Sequence, residues 1–314
     1  GQGPEMGLTV IKPGIQATIQ AAPREGLRHL GIPASGPADP LSMALANRLV
    51  GNLSTTPALE LPLGLATFRA DTACHVALTG ARAPISIDGS PAPMHRTLEL
   101  QSGQEISIGT TEAGARVYLA IAGGFEADDT LGGASTCLPA GFGGHHGRAL
   151  KAGDHLAAPP PEAPPEPLET PQALKQVLSH SFALRCVPGP DARLLAPETL
   201  QAEFEATRRA DRIGIELTGP WPRPEKGALK PSAPVFPGAV QLTPSGNAFV
   251  LLPDSQTTGG YPHVLQVARA DRHLLGQIRP GDRIRFLMRT PDEAVEDLRR
   301  KTAFLHSWLP DLRL

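Results

Sequence analysis

The stretch Pro253–Pro262 concentrates side chains that could do chemistry. It reads Pro–Asp–Ser–Gln–Thr–Thr–Gly–Gly–Tyr–Pro and so offers a carboxylate, an amide, three hydroxyls and a phenol. Asp254 and Gln256 are two residues apart, which on an extended backbone places both side chains on one face. Gly259 and Gly260 let backbone N–H groups approach a ligand, because neither has a Cβ. We predict a functional loop here, although the same residue types are common in ordinary hairpin loops.

Further candidates lie elsewhere: Arg24, Ser35, Asp39 and Asn47 in the first third, and Arg212 later. Arg24 could hold a carboxylate by a two-pronged contact. Asp39 is most simply a helix N-cap. Asn47 lies two turns along the same helix and faces either a cleft or solvent. Arg212 opens a predicted strand and either binds an anion or is a solvated strand end.

The glycine-rich run Gly141–Arg148 has the look of an anion-binding loop but follows no strand–helix pattern. His145, His146 and His155 have neither a helical register nor a partnering acid, so we predict no metal site. The sequence contains no GxxxxGK[ST] motif, which excludes a P-loop nucleotide site.

Composition narrows the class of protein. The 314 residues suffice for about two domains. The net charge of −2 without a basic block argues against nucleic acid and against an anionic membrane surface. Three widely spaced cysteines without a CxxC motif indicate a reducing compartment. With neither a signal peptide nor an apolar run of about 20 residues in view, we expect a cytoplasmic protein without a membrane partner.

The elements that must position these residues are mostly short strands. The 33 glycines and 34 prolines break helices, so we predict a mainly β fold with a few short helices. Apolar runs on either side of Pro253–Pro262 predict a strand and its return strand. Capping signals predict a helix over 40–50, and periodicity predicts helices over Pro197–Thr207 and Thr290–Trp308. Alternation on both sides of Pro13–Gly14 predicts a hairpin.

A proline-rich segment divides the chain. Residues 158–171 hold repeated prolines and predict a stiff extended linker. We therefore place an N-terminal domain at 7–157 and a C-terminal domain at 172–314. Similar glycine turns before alternating strands, as in Ser102–Ile108 and Pro280–Phe286, favour two related barrels, although such turns are common in β proteins.

Several motifs together resemble one family. They are Val10–Gly14, Ala46–Asn47 with Leu49–Asn52, Pro188–Pro190 and Asp254–Pro262. This chain is similar to the biotin-dependent carboxyltransferase / allophanate hydrolase subunit 2 family, which includes the C subunit of 5-oxoprolinase and the KipI antagonist. The resemblance covers nearly the whole chain after Met6.

The resemblance implies two cyclophilin-like β-barrel domains and a KipI-like partner, which is the B subunit of 5-oxoprolinase or a subunit 1 protein. With that partner, family members use ATP, with Mg, to activate 5-oxoproline, and a third subunit opens the ring to glutamate. One alternative is carboxyl transfer from carboxybiotin to urea or a related amide, and biotin is implied only there. Another is a regulatory, non-catalytic role like that of the KipI antagonist.

These reactions all act on an amide-type carbonyl group. The resemblance implies which residues would bind this group or stabilise charge on it. Asp254, Gln256 and Thr258 are expected to be catalytic, since polar groups and glycine N–H donors suit charge developing on such an oxygen. The expected substrate-binding residues are Arg24, Ser35, Asp39, Asn47, Arg212, Gly259, Gly260 and Tyr261. The chain departs from the family pattern at Ala21, Pro23 and Ser232–Pro234. The family usually has an aspartate at the position of Ala21. If that aspartate belongs to the site, the activity of this chain is altered or lost. The chain could also be a regulatory member, or the aspartate could serve only the structure in other members.

Overall fold

The computed structural model describes residues 5–225 and 229–314. Gly1–Pro4 lie outside the described residues, as does Lys226 in the proline-rich stretch after Trp221. The described chain divides into two compact units, an N-terminal unit of residues 5–24, 35–178 and 305–313, and a C-terminal unit built from Glu25–Ala34, Ser179–Phe304 and Leu314.

These units differ from the predicted boundaries in three segments, residues 25–34, 172–178 and 305–313. The proline-rich segment belongs to the N-terminal unit because its end is hydrogen bonded there. Thr97 N donates to the Leu168 carbonyl oxygen at 3.0 Å, and Thr170 N donates to the His95 carbonyl oxygen at 3.0 Å. Leu168 also packs against a buried apolar cluster of that unit.

The N-terminal unit contains two antiparallel sheets and one long helix. Its strands are β1 (Gly7–Pro13), β2 (Thr18–Gln20), β3 (Ala58–Pro62), β4 (Gly64–Ala70), β5 (Cys74–Arg82), β6 (Ile85–Ile87), β7 (Ser90–Ala92), β8 (Leu98–Leu100), β9 (Glu105–Thr110), β10 (Ala113–Ile121) and β11 (His155–Ala157). One sheet has the order β11-β1-β4-β9-β6-β7 and the other β2-β3-β10-β5-β8. Apolar side chains from both sheets, such as Phe68 and Leu119, form one buried core. The predicted β1–β2 hairpin is wrong, because the two strands lie in different sheets.

Helix α1 spans Pro40–Leu49 and confirms the helix predicted over 40–50 to within one residue. Asp39 is its N-cap, and its carboxylate accepts from Ser42 N at 2.9 Å. After the helix, Gly51 has a φ of 77°, the left-handed conformation that favours glycine beyond a helix end.

The C-terminal unit is a closed barrel, which confirms the mainly β prediction. Its remaining elements are β12 (Ser181–Pro188), α2 (Pro197–Leu200), β13 (Phe204–Ala210), β14 (Gly214–Thr218), β15 (Ala233–Pro234), β16 (Ala239–Leu242), β17 (Ala248–Leu251), β18 (Thr258–Gly259), β19 (His263–Val267), β20 (Arg283–Met288) and α3 (Pro291–His306). The barrel order is β12-β19-β16-β17-β14-β13-β20, closed by parallel pairing of β12 with β20. The helix predicted over Pro197–Thr207 ends at Leu200, because Phe204 already begins β13.

The segment between β17 and β19 is a crossover and not a hairpin loop. Both strands pair antiparallel with β16, so they run parallel to each other. The chain must therefore travel from one end of β16 to the other between Leu251 and His263. On the way β18 pairs with β15, and together they form a two-stranded ribbon.

Candidate functional site

An ion pair anchors the start of the crossover. Arg212 Nε lies 2.9 Å from Asp254 Oδ2 and its Nη2 lies 3.1 Å from Oδ1. The two side chains are only 3% and 1% exposed. In addition, Asp254 N donates to the Arg212 carbonyl oxygen at 3.0 Å. These contacts hold the end of β17 against the start of β14, so Asp254 fixes where the crossover begins.

The expectation that Asp254 and Gln256 share one face is wrong. Residues 253–255 form a turn and not an extended strand, and this turn buries Asp254 while leaving Gln256 exposed. Thr258 is also exposed, and Tyr261 is 39% exposed. The structure therefore separates the three residues predicted to be catalytic into one buried anchor and two outward side chains.

The two glycines of the crossover lie in close contact with neighbouring groups. A Cβ on Gly259 would lie 2.7 Å from Gln241 Nε2, and a Cβ on Gly260 would lie 2.7 Å from the Lys230 carbonyl oxygen. Lys230 N also donates to the Gly260 carbonyl oxygen at 3.0 Å. The ribbon thus lies close to the Gln241 side chain of β16 at Gly259 and close to the Lys230 backbone at Gly260.

Buried polar atoms without hydrogen-bond partners in the described structure mark the crossover as a candidate site. They are Gln241 Nε2, Ser255 Oγ and His263 Nε2. Gln241 is 1% exposed, and its Cα is paired with that of His263 on the neighbouring strand. Burial lowers the pKa of His263, so the ring is neutral at neutral pH. A buried donor left without a partner is costly, and such groups need an explanation such as a ligand.

Asp191 brings charge to the same end of the barrel. It follows the Pro188–Pro190 turn, is 3% exposed, and accepts from His263 N at 2.9 Å. Its carboxylate also contacts Lys230 Nζ and lies 3.4 Å from Arg193 Nη1. The sequence predictions did not include Gln241, His263 and Asp191 among the site residues. The one available signal was an amide inside the apolar run Val240–Leu242.

In the N-terminal unit, the Arg24 side chain is hydrogen bonded to the loop at residues 130–133. Its Nε donates to the Thr130 carbonyl oxygen at 2.9 Å and its Nη2 donates to the Gly133 carbonyl oxygen at 2.8 Å. The guanidinium lies 4.7 Å from the centroid of the Phe142 ring. A Cβ on Gly143 would lie 2.6 Å from Arg24 Nη2, so the glycine-rich run accommodates this arginine.

Asn47 has a structural environment too. Its Nδ2 donates to the carbonyl oxygens of Ser54 and Thr56 at 3.2 and 2.9 Å, and its Oδ1 accepts from Asn52 Nδ2 at 3.1 Å. Ser35 differs, because it is 2% exposed and its Oγ has no partner among the described residues. Its φ of 56° is uncommon for a residue other than glycine, and such backbone outliers cluster at functional sites.

Glu60 is the centre of a buried network of hydrogen bonds and an ion pair, which the sequence did not predict. Tyr118 Oη donates to Glu60 Oε2 at 2.7 Å, and Ala38 N donates to the same oxygen at 2.9 Å. Arg116 Nε lies 3.4 Å from Glu60 Oε1. Burial, followed by the charges of Glu60 and Asp39, raises the pKa of Tyr118 well above its usual value. The network ties the start of α1 to β3 and β10.

Other sequence candidates have ordinary partners. Arg148 forms a bidentate ion pair with Asp154 at 2.8 and 2.9 Å. The positive charge of the glycine-rich run is therefore already neutralised by a carboxylate. No group of three or more potential metal ligands occurs within the described residues. Two grooves of the N-terminal unit, about 600 and 370 Å³, contain none of the predicted site residues.

Comparison with known proteins decides the family. The model of the carboxyltransferase domain, subdomain A and B, matches residues 30–288. The chain belongs to this family. It is 33% identical over 293 residues to the C subunit of 5-oxoprolinase from Escherichia coli, which covers 92% of this chain and 93% of that protein. It is also 33% identical over 304 residues to urea amidolyase of Saccharomyces cerevisiae, covering 89% of this chain but 16% of that protein.

Solved structures give the same grouping. The urea carboxylase of Kluyveromyces lactis superposes with a TM-score of 0.89 at 27% identity, over 100% of this family member and 30% of that chain. The urea amidolyase of K. lactis gives a TM-score of 0.88 over 96% of this chain and 20% of that one.

Among the described residues, no helix is long and apolar enough to cross a membrane.

Proposed function

We propose that this chain is a component of an ATP-dependent 5-oxoprolinase that converts 5-oxoproline to glutamate together with a KipI-like partner, the B subunit. The observation that carries the proposal is the extent of similarity to the C subunit of E. coli 5-oxoprolinase, which runs over 92% of this chain and 93% of that protein. The urea amidolyase match has the same identity but covers 16% of its protein.

The crossover of the barrel is the proposed substrate site. Gln241 Nε2 is a buried donor without a protein partner in the described chain, and an amide N–H suits a carbonyl oxygen on which negative charge develops. His263 Nε2 and Ser255 Oγ supply two further polar atoms beside the crossover. We propose that Gln256, Thr258 and Tyr261 contact substrate from the exposed side of the crossover.

We propose positioning roles for the buried polar and charged residues. Asp254 and Arg212 hold the crossover, and Arg24, Asp39 and Asn47 hold loops of the N-terminal unit. ATP, with Mg, is a substrate of the complex in this proposal. The free thiols of Cys74, Cys137 and Cys186 are consistent with a cytoplasmic location.

A coupled assay tests this function. The purified chain, its KipI-like partner and the ring-opening component are mixed with ATP and 5-oxoproline, and ADP release is followed. ADP release that requires both 5-oxoproline and this chain supports the proposal. The exposed-side assignment is tested with Gln256→Ala, for which turnover falls while the folded state is retained.

The second candidate is carboxyl transfer to urea or a related amide. The TM-score of 0.89 with urea carboxylase favours it. In the same reconstitution, transfer from carboxybiotin to urea would replace dependence on 5-oxoproline. A stable complex with the partner and no turnover on any of these amides would instead indicate a regulatory binding protein.

A further inference from the structure

Two arginines of the C-terminal unit contact the turn that leads into β16. The Arg28 guanidinium lies 4.7 Å from the centroid of the Phe236 ring and donates a hydrogen bond to the Val235 carbonyl oxygen. Arg272 reaches the same turn, because a Cβ on Gly238 would lie 3.2 Å from Arg272 Cδ. The residues 235–238 thus bring two guanidinium groups that are distant in sequence to one place.

No carboxylate balances these cations within residues 5–225 and 229–314. The contacts of Arg28 there are with Val235 and Phe236, and Arg272 has no hydrogen-bond or ion-pair partner in the same residues. The neighbouring acid Asp271 is taken by Arg185, whose Nη2 and Nε lie 2.8 and 2.9 Å from its two oxygens. Positive charge therefore accumulates beside the turn.

A third arginine adds to this charge. Arg269 donates to the main-chain oxygen of Leu314, the last residue of the given sequence, and lies near enough to act on Arg272 electrostatically. Burial, and then the charges of Arg269 and Arg28, lower the pKa of Arg272 to about 10. Burial also lowers the pKa of Arg28. Both shifts mean that the charged forms are held at a cost, which a bound anion would offset.

We propose that Arg28, Arg269 and Arg272 form a binding site for an anionic oxygen group, either a phosphate or a carboxylate. The planar guanidinium fork matches both groups, and arginine is the residue that most often recognises them bidentately. Phe236, which is 51% exposed, adds an apolar surface beside the charges. The choice of probes rests on the proposed function, since ATP carries phosphates and 5-oxoproline a carboxylate.

Binding to the purified full chain tests the site without any turnover. Inorganic phosphate, ATP and 5-oxoproline are titrated in turn by calorimetry at constant ionic strength set with sodium chloride. The variants are Arg272→Gln and Arg28→Gln. The matched control is Arg208→Gln, which removes the same charge from an exposed position of β13. We expect affinity for the bound anion to fall roughly tenfold or more in the first two variants and to be unchanged in the control.

Thermal unfolding without ligand provides a second readout. Arg272→Gln removes one of several like charges, so its unfolding temperature is expected to equal or exceed that of the unsubstituted chain. A lower unfolding temperature contradicts the electrostatic argument. If Arg272→Gln does not fold, Arg269→Gln takes its place in the titrations.

The probes separate the two sources of the anion. Binding of phosphate and ATP without 5-oxoproline assigns a phosphate group, and binding of 5-oxoproline alone assigns a carboxylate. The proposal is overturned if no probe binds the unsubstituted chain, if Arg28→Gln and Arg272→Gln bind as it does, or if Arg208→Gln loses as much affinity as they do. Failed binding leaves the proposed enzyme function standing, and failed turnover in the coupled assay leaves this site standing.

Discussion

At the scale of single residues, hydrogen bonding separates structural anchors from candidates for chemistry. Asp254 and Arg212 are almost fully buried and satisfy each other, whereas Gln241 is as deeply buried and its Nε2 has no partner in the described chain. All three residues are polar and lie at the crossover. The difference in hydrogen bonding, and not residue type, predicts that they respond differently to substitution.

Replacing the anchor is expected to destabilise the fold. Asp254→Ala removes the carboxylate that pairs with the buried Arg212 cation, which costs about 3–5 kcal/mol in the free energy of unfolding. Urea denaturation measures the change. The control is Gln256→Ala, an exposed position of the same crossover, for which we expect a change within about 0.5 kcal/mol. Equal stability of Asp254→Ala and the unsubstituted chain would contradict the anchoring role.

Replacing the buried amide is expected to have the opposite effect. Gln241→Met keeps a side chain of similar shape and removes an unsatisfied donor, so the free energy of unfolding stays the same or rises by about 1 kcal/mol. Turnover of the reconstituted complex is expected to fall by roughly tenfold or more, because the proposed donor to the substrate carbonyl is lost. A variant with lower stability and full turnover would show that the amide serves only the fold.

The ring of His95 is expected to make stability depend on pH. Burial, and then the charge of Lys175, lower its pKa from 6.5 to about 4. Between these values the unfolded chain binds a proton that the folded chain does not, so stability is full above pH 6.5 and is lost as the pH falls towards 4. The loss is on the order of 3 kcal/mol.

His95→Asn tests this pH dependence, since asparagine tolerates the φ of 62° at this position and does not titrate. Urea denaturation at a series of pH values is expected to give a shallower slope between pH 4 and 6.5 than the unsubstituted chain. His306→Asn, at an exposed position, is the control. An unchanged slope in His95→Asn would assign the pH dependence to other groups.

At the scale of elements, the sequence predicted local features and failed on pairing. Asp39 caps α1, and Thr290 and Glu293 form the capping box of α3 with both hydrogen bonds present, because these contacts depend only on neighbouring residues. The hairpin around Pro13–Gly14 was wrong, since strand partners are chosen by the whole core. Burial of Gln241 likewise follows from the ribbon above it, which no local pattern indicates.

The crossover ribbon is expected to be sensitive to added volume. Gly260→Ala places a Cβ against the Lys230 carbonyl oxygen, a backbone atom that cannot move without shifting the ribbon. Val235 N donates to the Thr257 carbonyl oxygen in that ribbon. We therefore expect faster amide hydrogen exchange at Val235 in Gly260→Ala. Thr258→Ala, which removes an exposed side chain, is the control, and equal exchange in both variants would contradict the packing account.

At the scale of the whole molecule, the sequence motifs predicted the family correctly. The stretch Asp254–Pro262 and the residues of α1 carry the resemblance, and the match of the carboxyltransferase model over residues 30–288 confirms it. Chemical roles were harder to assign, because the motif residues Asp254, Arg24 and Asn47 are buried in structural contacts. The sequence motifs of this chain therefore include residues that hold the fold around the candidate site as well as residues proposed to contact substrate.

The most direct test of the proposed function is glutamate formation by the reconstituted complex. The full chain, the proposed KipI-like partner and the proposed ring-opening component are supplied with ATP and either 5-oxoproline or urea, and glutamate and ADP are quantified together. We predict that glutamate and ADP accumulate in step with 5-oxoproline, that urea gives neither, and that omitting this chain abolishes both. ADP release independent of 5-oxoproline, or consumption of urea in its place, would contradict the account.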